Sequence, residues 1–563
     1  MRKDKLLRPL LFLLFAASLL GWVIFVQLPR DPVGDVQYGG VLRISIKGAA
    51  PQLNPLVENT ITHHRIQQLV FEPLIKMSDN GQTWHHYLSK NIVLKNNGAS
   101  VYIELKRNIR FAPNPCFKFT TDELHASDVA FSLSLACSNH PKVLKNPYLA
   151  NLIVGGKEYF SKKISPLNEN VSGIQVLDNY RLKISLTDNY NHFLKMLSGP
   201  SFGIMSKAAA IFYGDDFFNS PVGTGAFQLE SNSNQRALFI SNPNYWRKDK
   251  FGNKLPYLKK VVVSYNVSGK KANSLFLQNQ LDLLFDLPVD DLQNAFGTLK
   301  DAKSGRNPLH EIYLKEAAKV HFIQFNCTRP PFDNPNLRRA FALAIDTRAI
   351  CDEVLRGDGS PLFKNFIPSS KKEMEGPNAS KDTTMEARIK EAKNLLLLAG
   401  YDETKPLPSI TFFIDATKES IAYRWAKAIK EMLTQNLGVS IVLSEKTHNN
   451  NQNFAIWRNG WIGDYWGAES YLRLFYSPAQ QPLFFKNKNV DELYKTSILA
   501  RGAKQKQAAE NLCEKEILKQ QALIPIYSEG FVVVNQLRLR GLKLNESGLL
   551  DYATLFIKNI APN

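Results

Sequence analysis

Apolar and polar residues alternate with a period of two over Val41-Leu42-Arg43-Ile44-Ser45-Ile46, and again over Val101-Tyr102-Ile103-Glu104-Leu105. Such alternation predicts half-buried strands. Residues 171–190 read as two more, and the turn Gly223-Thr224-Gly225 opens another at Phe227-Gln228-Leu229. Val320 to Asn326 alternates in the same way. The period then changes. Leu337, Phe341, Ala344 and Ile345 share one helical face, with Asn334 as N-cap and Pro335 at the first helical position. Ala126 to Ser132 predicts a helix with Ser127 as N-cap, and Glu391 to Ala399 one closed by Gly400. A helix over 421–437 lies between strands at 410–414 and 439–443. Two further helices, near 490–500 and 504–520, precede the apolar run Ile524-Pro525-Ile526-Tyr527 and a strand-like tail. Strands alternating with helices predict an α/β protein.

The N-terminus departs from this pattern. Arg2, Lys3, Lys5 and Arg8 precede an uncharged run of 19 residues, Leu10 to Leu28. A basic head on an apolar body is an export signal, and this body is just long enough to span a bilayer. No clear cleavage site and no lipoprotein Cys follow it. The expectation is an uncleaved signal-anchor, with a cleaved signal as the alternative, placing everything after it across the cytoplasmic membrane. Residues 29–40 form a linker.

Length and composition fit this view. The 563 residues, 44% hydrophobic and 21% charged, suffice for two lobes with sizeable cores. The net charge of +19 is spread along the chain. No basic stripe interleaved with aromatics occurs, so nucleic acid is not an expected partner. Five cysteines leave at least one thiol free, and Cys116 with Cys137 is the best-placed pair for a disulfide. There is no CxxC spacing, and neighbours in sequence such as His63-His64 or His85-His86 point in different directions, so neither pair chelates a metal by itself. No nucleophile elbow, zincin or P-loop motif is present, and no enzyme is expected.

One segment stands out: Arg458-Asn459-Gly460-Trp461-Ile462-Gly463-Asp464-Tyr465. In an extended strand Arg458 and Asp464 would lie on one face, about 20 Å apart or closer if the chain bends. The glycines allow close approach of another backbone. A carboxylate and a guanidinium at this separation suit the ammonium and carboxylate ends of a short peptide. They suit a structural ion pair equally well.

Several stretches, taken together in order and spacing, resemble the family 5 extracellular solute-binding proteins, the peptide- and nickel-binding receptors of bacterial ABC importers. They are Gly39 to Leu42 with Leu53-Asn54-Pro55, Phe71-Glu72-Pro73-Leu74, Ile109-Arg110-Phe111 with Ala126 to Val129, Gly223 to Phe227 with Asn242 to Trp246, Leu337 to Asp346, and Ala392 to Tyr401. The resemblance covers about residues 39–560. It implies the type II periplasmic-binding-protein fold, two α/β lobes that close about a hinge. Residues 1–36 would be the signal segment and linker. Residues 37–315 would form lobe I, with an extra subdomain at about 58–170, and residues 316–527 lobe II. Residues 528–563 would return to lobe I.

The resemblance also implies a site. Asp464 would hold a peptide ammonium and Arg458 a carboxylate. Backbone at Gly460 and Ile462 would pair with the peptide as an added strand. Trp461 and Tyr465 would line the cleft, and Glu58, Asn59 and Thr60 would face them. Where the family often has Pro-Asp-Pro after Asp-Tyr, this chain has Trp466-Gly467-Ala468. The implied function is capture of short peptides outside the cytoplasmic membrane, by a monomer, without cofactor, for delivery to an ABC permease. The same fold holding a metal chelate, haem or sugar is the alternative, and an envelope hydrolase of peptides or cell-wall fragments a more distant one.

Overall fold

The computed structural model describes residues 36–558 apart from 58–59, 79–82, 163–164, 189, 191, 286–309, 357–358, 363–364, 368–383, 415, 417, 419, 446–454, 464, 466, 481–482 and 546. The expected N-terminal anchor lies outside these residues. Among them, no helix is long and apolar enough to cross a membrane.

Three sheets organise the chain. In the first, Val41–Ser45 runs parallel to Lys260–Ser264, and Arg236–Ser241 and Phe227–Asn232 follow antiparallel. The second is an antiparallel meander of Ser89–Lys95, Ser100–Leu105, Arg181–Ser185 and Ile174–Val176. The third is mixed, in the order Leu283–Phe285, Leu523–Gln536, His310–Phe325, Ile456–Ile462, Ile410–Phe413 and Ile441–Ser444. Its two long strands, His310–Phe325 and Leu523–Gln536, pair antiparallel along nearly their whole length, with irregularities at Lys315/Lys319 and His321/Phe322. One end of this ribbon packs into the core shared with the first two sheets, through Phe531 and Val533. At the other end the two faces of the ribbon part: Val320, Phe322 and Leu523 join that same core, while Ile323, Phe325, Ile524 and Ile526 pack into a separate one. The type II α/β architecture thus carries two large cores on one ribbon, with a small third cluster around Phe276 and Val534.

Local chemistry explains the elements. In Ile421–Leu437 the residues Trp425, Ile429, Leu433 and Leu437 recur every fourth position and are all buried. The Ser420 hydroxyl accepts from the Tyr423 N–H at 3.1 Å, and Gly438 ends the helix at φ 70°. The helix Pro335–Leu343 starts as its sequence dictates, with the Asn334 side chain accepting from the Asn336 N–H at 2.9 Å. Two starts differ from expectation. The helix Ala126–Ala136 has His125, not Ser127, at its N-cap, because Asp128 reaches back to accept the His125 N–H at 2.9 Å. The expected helix near residue 391 begins earlier, as Met385–Leu398, because Thr384 caps it.

The Gly223-Thr224-Gly225 turn is a packing device. A Cβ on Gly223 would lie 2.0 Å from the Val70 carbonyl oxygen. This close approach brings the Thr224 hydroxyl to the buried Glu72 carboxylate at 3.0 Å. Glu72 also accepts from the Tyr245 hydroxyl and the Trp246 indole, each at 2.9 Å. The expected Cys116–Cys137 disulfide does not form. Both are buried thiols, as are Cys351 and Cys513, while Cys327 is half-buried and also free. Cys116 sits in a short helical turn after Asn114, and Cys137 caps the far end of Ala126–Ala136.

Candidate functional site

A cavity of about 660 Å³ opens beside the strand Ile456–Ile462. One wall comes from Pro55, Leu56, Thr60, Ile61 and His64, with Lys145 to Tyr148 and Gly199 to Phe202. The opposite wall comes from Lys319, Gln324, Trp457, Asn459 to Gly463, Tyr465, Arg473, Leu474, Ala479, Gln480 and Phe484, Arg458 not among them. The first wall is made of loops and short helices, and the second is built around the third sheet.

Register decides which side chains face the cavity. Ile456–Ile462 runs antiparallel to His310–Phe325, with Gln324 opposite Trp457, Phe322 opposite Asn459 and Val320 opposite Trp461. Directly opposed residues share a face. Trp457, Asn459, Trp461 and Gln324 accordingly lie on the cavity side. Asn459 Nδ2 donates to Gln324 Oε1 at 2.7 Å, and its Oδ1 accepts the Gly460 N–H at 2.8 Å. The Trp461 indole donates to the Ser470 carbonyl at 3.1 Å, which pins its ring.

Of the residues singled out in the sequence, Thr60, Gly460, Trp461, Ile462 and Tyr465 meet at this cavity. Thr60 is also the N-cap of Ile61–Gln67, accepting from the His63 N–H at 3.2 Å. Arg458 stands opposite Ile323, on the other face, and its Nε donates to the Ile414 carbonyl at 2.9 Å. Glu58, Asn59 and Asp464, with Trp466, lie outside the described residues. Sequence reasoning missed Trp457 and gave Asn459 no role, although both share the period-two alternation of Trp461. It also missed Lys145, Tyr148 and Arg473, which no local pattern marks.

Two polar clusters flank the cavity. In the first, the Tyr148 hydroxyl lies 2.6 Å from His192 Nε2 and 2.9 Å from the Tyr494 hydroxyl. All three are buried, and burial holds the His192 imidazole down at about 3, hence neutral. Beside them the buried Glu469 is 2.8 Å from Lys506 Nζ and 3.8 Å from Lys195 Nζ. Burial opposes its charge, but these two ammonium groups win and its carboxyl drops to about 2. In the second cluster, on the long-strand ribbon, Glu529 Oε1 is 2.5 Å from Lys319 Nζ and 3.1 Å from His321 Nε2. Desolvation is outweighed by Lys319 and His321, so Glu529 titrates well below the usual carboxylate range. Burial, then Lys319, lowers His321 to about 4. Its ring stacks on Tyr527 at 4.3 Å.

Two cores joined by a paired ribbon, with a cavity walled from both sides, define the class: a two-lobed solute-binding protein. Comparison with known proteins places it within that class. The model of "Bacterial extracellular solute-binding proteins, family 5 Middle" matches residues 66–482, and the chain belongs to this family. The periplasmic oligopeptide-binding protein OppA of Escherichia coli is 23% identical over 370 residues, 63% of this chain and 64% of that protein. The periplasmic murein peptide-binding protein MppA of Escherichia coli is 25% identical over 366 residues, 63% of this chain and 65% of that protein. The matches to these two relatives thus span just under two thirds of their length. The structure of the Escherichia coli murein tripeptide binding protein MppA superposes with a TM-score of 0.78 at 21% identity, covering 93% of this chain and 99% of that one. That of Haemophilus influenzae OppA in complex with the peptide RPPGFSPFR gives 0.77 at 18% identity, with the same coverage.

Proposed function

We propose that this protein is the extracytoplasmic substrate-binding component of an ABC importer. It captures short peptides in the cavity between its lobes and delivers them to the permease. The observation that carries the reading is the strand Ile456–Ile462, whose glycine-containing end, Gly460 to Gly463, lines a cavity large enough for a few residues. A peptide backbone alongside Gly460 and Ile462 would extend the sheet, a mode that tolerates many side-chain sequences. Asp464, next to the cavity residues Gly463 and Tyr465, takes the ammonium end, and Glu58 to Thr60 supply the facing wall. The family resemblance gives Arg458 the carboxylate end. Its position on the opposite face does not favour that, and we assign it to holding the strand through Ile414.

In this reading residues 37–315 and 528–563 make one lobe and residues 316–527 the other, and the N-terminal segment tethers the protein to the cytoplasmic membrane. Ligand stabilises the closed arrangement over the open one, and that difference in affinity drives closure. No catalytic step is required. Names of relatives support the ligand class: OppA and MppA are described as binding oligopeptides and murein peptides. The test is native mass spectrometry of the purified protein beside an Asp464→Ala variant. Bound peptides on the wild type, lost from the variant, are the expected result. A metal chelate, haem or sugar in their place overturns it.

A further inference from the structure

A basic and aromatic hairpin stands beside the point where the N-terminal linker meets the body. Over residues 247–255 the chain doubles back. The Asp249 N–H donates to the Asn253 carbonyl at 2.9 Å and the Leu255 N–H to the Arg247 carbonyl at 3.1 Å, and Lys248 is bridged to Lys254. Gly252, at φ 86°, closes the turn and leaves Lys250 and Phe251 at its tip. Tyr38 sits at the base. Its hydroxyl donates to the Lys254 carbonyl at 2.9 Å, and its ring centre lies 5.6 Å from that of Tyr257. Phe251 is three residues from Lys254, so the tip is within about 10 Å of the carbonyl that Tyr38 holds.

The charges of the hairpin are sorted. Asp249 is the one acid in residues 247–260, and it is turned inward. Its carboxylate accepts from the N–H groups of Phe251 and Asn253, each at 2.8 Å, and from the Tyr257 hydroxyl at 2.5 Å. Lys254 donates to the Pro243 carbonyl at 2.7 Å. Lys248 and Lys250 are exposed, and among the described residues no ion pair holds either. Phe251 is 52% exposed, with the Lys250 ammonium 4.8 Å from the centre of its ring, and Tyr38 is 44% exposed. An exposed phenyl ring beside two ammonium groups suits the interface of an anionic bilayer, where the ring enters the headgroup layer and the ammonium groups meet phosphates.

The reach of the linker turns this patch toward a membrane. Leu28 ends the apolar run and Val36 is the first described residue, so the eight steps between them span at most about 29 Å. A chain of this length, folded compactly, is about 60 Å across. A tether that short holds the face around Tyr38 against the bilayer.

We propose that the hairpin of residues 247–255 docks on the membrane, seating Phe251 in an anionic phospholipid surface and Lys248 and Lys250 upon it. This rests on the tether reading above and deepens it. With one anchor and one contact beside it, the body keeps a single orientation on the membrane instead of turning freely on its linker.

The test uses the full chain in lipid nanodiscs, either of phosphatidylcholine alone or of phosphatidylcholine and phosphatidylglycerol in equal parts. Lysines are acetylated briefly and read by mass spectrometry. Lys248 and Lys250 are expected to react about fivefold more slowly on the anionic discs at low salt, and the difference shrinks as salt is added. Lys393, exposed on the helix Met385–Leu398, serves as the reference that does not change. In Phe251→Ser, at an exposed position that does not threaten folding, the protection of Lys250 falls. Equal reactivity on the two discs, with the chain retained at full mass, overturns the docking and leaves the tether standing. Protection undiminished in Phe251→Ser overturns the seating of the ring. Protection in native membrane vesicles but in neither disc assigns the hairpin to a protein partner and overturns the proposal. A chain that elutes free of the discs, or lacks its N-terminal segment by mass, overturns both the tether and the docking.

Discussion

The hydroxyl of Tyr148 lies 2.9 Å from the hydroxyl of Tyr494, a contact between residues 346 positions apart in the chain. Tyr148 belongs to the wall formed by Lys145 to Tyr148, and Tyr494 to the helix Lys488–Leu499, which follows the cavity strand. The bond therefore ties one wall of the cavity to that helix, and in the proposed hinge reading it forms only in the closed state. Tyr494→Phe keeps the ring and removes the bond. Peptide affinity should fall by about fivefold, close to 1 kcal/mol, mostly through faster dissociation. Stopped-flow fluorescence measures the rate, and solution scattering should show a more open ligand-free protein. Unchanged dissociation would mean that the pair does not hold the closed state.

Glu72 is a hub of a different kind, since its carboxylate satisfies three buried donors within one lobe. Glu72→Ala removes the acceptor of all three, although the Tyr245 hydroxyl keeps Tyr87 as a neighbour, and should cost about 3 kcal/mol of stability. The melting temperature should drop clearly while the affinity of the folded fraction for peptide stays the same.

The Gly223 turn should tolerate no side chain. A Cβ 2.0 Å from the Val70 oxygen forces the turn away from the backbone it rests on. Gly223→Ala should destabilise by about 3 kcal/mol, and denaturant unfolding would detect it. Wild-type stability in this variant would show that the turn can shift as a unit.

Acid should weaken the ribbon. Glu529 titrates lower in the folded protein than in the unfolded chain, because Lys319 and His321 stabilise its charge. Its contribution is complete above the unfolded value of about 4.3 and declines as pH falls below it. Glu529→Gln should therefore melt below the wild type at pH 7, and the difference should shrink steadily from pH 4 to pH 2. A constant difference across that range would count against the charge as its source.

Much of this architecture was legible because amphipathic patterns are local. The helix Ile421–Leu437 and the strand Val41–Ser45 needed no partner to be seen. The long strand Leu523–Gln536 was seen only at Ile524 to Tyr527, since Pro525 and Gly530 interrupt it and its buried positions do not alternate. The site was half legible for a similar reason. Gly460 and Trp461 announce a special strand, but the face each residue takes depends on pairing with His310–Phe325, which the spacing of Arg458 and Asp464 could not supply. Tyr148 and Tyr494 are ordinary aromatics until the fold brings them together.

The place of Leu523–Gln536 between Leu283–Phe285 and His310–Phe325 constrains the order in which the molecule can be built. A ribosome delivers the two flanking strands long before the one that separates them. Until residue 536 arrives, the edges of Leu283–Phe285 and His310–Phe325 that the late strand will occupy stand open, and the first lobe lacks the segment that seals it. The two four-stranded sheets are complete by residue 264, but the sheet that joins the cores cannot close before residue 536, so the native state waits for the end of the chain.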